Sequence, residues 1–65
     1  MTTQELRELR REHGLSQAGL GAKLGYHANY IYRLESGKIP ITQKFEKLVH
    51  AVLREEEVKK IFSTP

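Results

Sequence analysis

Between Leu15 and Lys38 the chain reads LSQAGLGAKLGYHANYIYRLESGK, two apolar-periodic stretches split by one glycine and closed by another. Leu20 and Leu24 stand four apart, and Ile31 and Leu34 three apart. With few strand-favouring residues between them, both stretches read as amphipathic helices. Ser16 is a good N-cap for a helix over 17–24, because its hydroxyl can accept from the orphan N–H groups of the first turn. Gly25 stops that helix, where a left-handed backbone costs glycine little. Only one or two residues follow before a helix over about 28–36, which Gly37 ends in turn. Two helices this short, joined this tightly, cannot lie antiparallel and must cross steeply.

The flanks read the same way. Thr2 followed by Glu5 fits a capping box that opens a helix over about 2–13, with Leu6 and Leu9 inward and Gly14 at its end. Pro40 excludes helix just before it, and Thr42 caps a fourth helix over 43–53. Phe45, Leu48, Val49, Val52 and Leu53 form its apolar stripe. Val58, Ile61 and Phe62 fall almost opposite that stripe at about 100° per residue. The phase change favours a turn near Arg54–Glu55 and a fifth helix over 55–62, whose N-terminal end Glu55, Glu56 and Glu57 would suit. The expected fold is all-α, a single domain over 1–65 of four to five helices.

Sixty-five residues bury a modest core, so such a chain depends on good helix packing or on a partner. Cysteine is absent, which excludes disulfides and thiolate metal sites. No apolar run approaches the roughly 20 residues that span a bilayer, and the charged first residues lack a signal-peptide core. The plain reading is a cytoplasmic protein without a membrane segment. The net charge is +3, and its placement matters more than its size. The charges within 1–15 and within 45–65 cancel, whereas 16–44 carries Lys23, Arg33, Lys38 and Lys44 against Glu35 alone. That is the pattern of a protein that meets a polyanion.

Taken together, Arg10, the run Gly14-Leu15-Ser16-Gln17, Leu20, Gly21, Leu24-Gly25, Ile31 and Leu34-Glu35-Ser36-Gly37-Lys38 resemble the helix-turn-helix domain of the lambdoid phage repressor and Cro family, also called the Xre family. The similarity covers residues 5 to about 53, and this many dispersed matches at matching spacing are specific. Gly21 sits where the second helix must come close to the third. Gly19 departs from the pattern, which more often has a better helix former there; each glycine costs the helix roughly 1 kcal/mol relative to alanine. The resemblance implies an internal ion pair between Arg10 and Glu35, structural rather than DNA-reading.

It also implies that the third helix lies in the major groove of double-stranded DNA. With Ile31 and Leu34 inward, the helical wheel turns Ala28, Asn29, Tyr32, Arg33 and Ser36 outward and puts Tyr30 on the flank. Asn29 can bond an adenine edge, and Arg33 the O6 and N7 of guanine. Ala28 permits close approach, and Tyr32 can pack on a methyl group or a sugar. Ala28, Asn29, Tyr32 and Arg33 are therefore the base-reading candidates. Gln17, His27, Tyr30, Ser36, Lys38 and Lys44 are the candidates for the sugar–phosphate backbone, Gln17 because relatives bond a phosphate there.

Family members usually act as twofold dimers on palindromic sites, so the resemblance implies a homodimer, and Val58, Ile61 and Phe62 are the candidate interface. The expected function is a DNA-binding transcriptional repressor. The rival is an antitoxin or adaptor-type protein-interaction module on the same fold, which would not need a polar outward face on the third helix. An enzyme is not expected. There are no aspartates, and His13, His27 and His50 make no metal-ligand spacing on one helix. No catalytic residue, metal, cofactor or small-molecule ligand is assigned.

Overall fold

The computed structural model describes the backbone of residues 1–62 and the side chains of residues 1–54. Four helices follow one another: α1 (Thr3–Glu12), α2 (Gln17–Leu24), α3 (Ala28–Glu35) and α4 (Gln43–Phe62). No strand occurs among the described residues, so the fold is all-α. Each start has a local cause. Thr2 Oγ1 accepts from the Glu5 N–H at 3.1 Å while Glu5 Oε1 accepts from the Thr2 N–H at 3.0 Å, a complete capping box. Ser16 Oγ accepts from the Gly19 N–H at 2.9 Å, and Thr42 Oγ1 from the Phe45 N–H at 3.1 Å.

The ends of the first three helices share one chemistry. Gly14, Gly25 and Gly37 all take positive φ, the conformation that closes a helix by turning its last carbonyls onto following N–H groups. After α1 the Leu15 N–H reaches the Arg10 carbonyl at 3.1 Å; after α3 the Lys38 N–H reaches the Arg33 carbonyl at 3.0 Å.

The expected break near Arg54–Glu55 does not occur. The helix runs unbroken from Gln43 to Phe62, so the described chain has four helices and not five. Arg54, Glu55, Glu56 and Glu57 are helix formers, and no glycine or proline interrupts them. A change in apolar phase relocates a buried stripe but does not stop a helix.

Leu6, Leu20, Ile31, Leu34, Phe45, Val49 and Leu53 form the core, one or more from each helix. Leu9, Leu15, Leu24, Tyr30, Ile39 and Ile41 pack around it, partly buried. α2 packs mainly on α3, α1 supports α3, and α2 also touches α4. α3 is thereby held on one side only, and its other side is left to solvent.

Candidate nucleic-acid interface

The α2–α3 unit is set by two glycines. Gly25, at φ +81°, turns the chain out of α2 and lets the Tyr26 N–H bond the Gly21 carbonyl at 2.8 Å. Gly21 is buried, and a Cβ built on it would lie 2.5 Å from the Tyr26 carbonyl oxygen. The close approach inferred for Gly21 is therefore to the turn backbone leading into α3. A side chain there would displace the start of α3.

α3 then shows two chemically different faces. Ile31 and Leu34 are fully buried, and Glu35 is buried with them. Asn29, Tyr32, Arg33 and Ser36 are exposed, and Ala28 is half-buried. Among the described residues, the side chains of Asn29 and Arg33 have no partner. Lys38 holds its ammonium 5.3 Å from the centroid of the Tyr32 ring, a cation–π contact that keeps both groups on the outward side. The Ser36 hydroxyl donates to the Tyr32 carbonyl at 2.8 Å, so contact with a phosphate requires that hydrogen to be re-aimed. His27 is the exposed N-cap of α3 but makes no side-chain capping bond.

The underside of α3 is pinned by charge. Glu35 accepts from Arg10 Nε at 2.7 Å and from a terminal Arg10 nitrogen at 2.9 Å, a two-bonded fork. The other terminal nitrogen of Arg10 bonds the Leu15 carbonyl at 2.9 Å, which ties α1, the α1–α2 turn and α3 together. The hydrogen bonds to Glu35 hold the Arg10 guanidinium above its ordinary pKa. Two residues join this centre beyond the expected pair. Arg7 donates to the Glu35 carbonyl oxygen at 2.8 Å, and its Nε lies 3.8 Å from the carboxylate. The Gln17 amide donates to Glu35 Oε1 at 3.4 Å, so in this structure it faces the ion pair. Arg7 could have been found from spacing, since it precedes Arg10 by three on the same helix face.

Tyr30 is drawn aside. Its ring stacks on Tyr26 at 4.6 Å between centroids, and both lie against Phe45, at 6.1 and 6.3 Å. Lys44 is exposed at the edge of the groove that this aromatic cluster lines. Tyr26 escaped the sequence reading because it lies in the turn, where helical periodicity assigns no face. The side chains of Val58, Ile61 and Phe62 lie outside the described residues. No cluster of metal-ligating side chains occurs among the described residues, and no described helix is long and apolar enough to cross a membrane.

Two short helices about a glycine turn, the second carrying an exposed polar face, define a helix-turn-helix unit. The family model described as "Helix-turn-helix domain" matches residues 3–58, most of the chain, and the chain belongs to that family. Helix-turn-helix domains are DNA-binding units typical of regulators rather than enzymes. Comparison with curated proteins and with solved structures gave no match.

Proposed function

We propose that the chain is a sequence-specific regulator of the lambdoid repressor and Cro (Xre) type, which represses by binding a palindromic operator as a homodimer. One observation carries this reading. Burial of Ile31 and Leu34 leaves Asn29 and Arg33 outward on the same helix, both unpartnered among the described residues. A guanidinium and an amide that merely solvated a surface would do no harm there. Beside Ala28 and Tyr32, however, they form a compact set of donors, an acceptor and apolar groups that matches major-groove base edges.

Lys38, Lys44, His27, Tyr30, Ser36 and Gln17 are assigned to contacts with the sugar–phosphate backbone, Gln17 on turning its amide away from Glu35. Phosphate contacts fix register, whereas base contacts specify sequence. The dimer is supported by the continuous α4, which extends past the last described core residue, Leu53, as far as Phe62. Val58, Ile61 and Phe62 are assigned to that interface by their sequence phase. The rival adaptor reading leaves the polar outer face of α3 without a purpose.

The test separates two kinds of contact. Lys38→Ala should weaken binding to all duplexes alike and reduce the salt slope by roughly one ion. Arg33→Ala should instead lower discrimination at one base pair, by roughly 1–3 kcal/mol. If neither substitution alters binding to a duplex the protein selects, α3 does not lie in the groove.

A further inference from the structure

We propose that the groove between the α2–α3 turn and the start of α4 is a second recognition surface, for an acidic amphipathic segment of a partner protein. Tyr26, Tyr30, Phe45 and Leu48 form its apolar lining, with Lys44, Lys47 and Thr42 completing it around a volume of about 480 Å³. Tyr26 is 39% exposed although its ring stacks on Tyr30. An aromatic pair left open at one face has the composition of an interface hot spot, apolar and rigid at the centre with a polar tip.

The rim fixes the sign of the occupant. Lys44 and Lys47 stand three apart on α4 and therefore share a face, with Leu48 four from Lys44. Neither lysine has an ion pair among the described residues. Their neighbour Glu46 is engaged elsewhere, with the Met1 amine at 3.0 Å. Two like charges beside an apolar floor call for carboxylates attached to a large apolar side chain. A DNA backbone would engage the lysines and the Tyr30 hydroxyl but leave the open face of the Tyr26 ring and Leu48 without an apolar partner, because phosphates need donors and not apolar area. The partner is thus a protein segment, docked beside the flank of α3.

The probe is a random dodecapeptide display library selected on the 65-residue chain. The expected result is a consensus pairing an aromatic or large aliphatic residue with nearby Asp or Glu. A synthetic consensus peptide should then lose at least tenfold in affinity with Tyr26→Ala and with Lys47→Glu. Lys47 is exposed, so Lys47→Glu tests the site even if Tyr26→Ala disturbs packing; far-UV circular dichroism reports that directly. The proposal is overturned if no consensus emerges, if the consensus lacks acidic residues, or if Lys47→Glu leaves the peptide bound. It is also overturned if Tyr26→Ala and Lys47→Ala each weaken duplex DNA binding tenfold, since the groove would then belong to the nucleic acid. Tyr30 and Lys44 are shared with the proposed backbone contacts and are left unchanged; Tyr26 and Lys47 belong to neither the base-reading nor the backbone set, so failure of the peptide arms leaves the DNA reading untouched.

Discussion

Removing the Glu35 carboxylate should cost this domain a large part of its stability. In Glu35→Ala the Arg10 side chain, 12% exposed, loses both arms of its fork and keeps only the Leu15 carbonyl. Gln17 and Arg7 lose their contacts with the carboxylate as well, although Arg7 keeps its bond to the residue-35 carbonyl. Stranding one member of a buried ion pair costs roughly 3–5 kcal/mol. At roughly 0.05–0.15 kcal/mol per residue, a chain of this length has in total only about 3–10 kcal/mol to lose. Urea denaturation followed by far-UV circular dichroism should therefore show Glu35→Ala largely unfolded or with its midpoint sharply lowered. Arg10→Met combined with Glu35→Leu should recover much of the loss, because no buried charge is then left alone. A cost below about 1 kcal/mol for Glu35→Ala would place the pair in the class of exposed salt bridges and refute the reasoning.

Gly21→Ala should destabilise by about 1–3 kcal/mol, since the new methyl meets the backbone oxygen of Tyr26 at 2.5 Å and the turn must move. Gly19→Ala meets only Ser16 Oγ at 3.2 Å and the Leu15 side chain, so the same denaturation assay should find it clearly milder. If the two substitutions cost the same, the turn is not the constraint. Thr2→Ala should cost about 0.5–2 kcal/mol through the lost cap. The backbone bond from Thr2, followed by its hydroxyl's part in the box, holds the Glu5 carboxyl below its ordinary pKa of 4.5. A depressed carboxylate stabilises above its unfolded pKa and loses that contribution as pH falls through the folded value. Thermal melts from neutral to acid pH should accordingly show the penalty of Glu5→Ala, which removes the titrating carboxylate itself, shrinking as Glu5 protonates; a penalty constant with pH would contradict the box.

The glycines at 14, 25 and 37, together with Thr2 and Ser16, made the helix limits of the first three elements legible to within a residue or so, and Thr42 did the same for the start of the fourth. These are local effects, decided by one side chain and the backbone beside it. The break expected near Arg54 was wrong for the opposite reason: apolar phase reports what a helix packs against, and no local stop signal lay beneath it. The wheel of α3 needed only Ile31 and Leu34 to orient it, so the exposure of Asn29, Tyr32 and Arg33 followed from periodicity. Tyr26 and the groove it lines did not, because a turn residue has no periodic face and Phe45 reaches it from another element. The Gln17 amide, engaged with Glu35, shows the same limit, since a side chain's first partner is set by tertiary packing.

Selection of bound sites from a random duplex pool at moderate salt tests the proposed DNA-reading face of α3 most directly. The expected product is an enriched inverted repeat, with half-sites about one helical turn apart, that carries guanine and adenine positions sensitive to Arg33→Ala and Asn29→Ala. No enrichment over random duplex, or an enriched site indifferent to both substitutions, would contradict it.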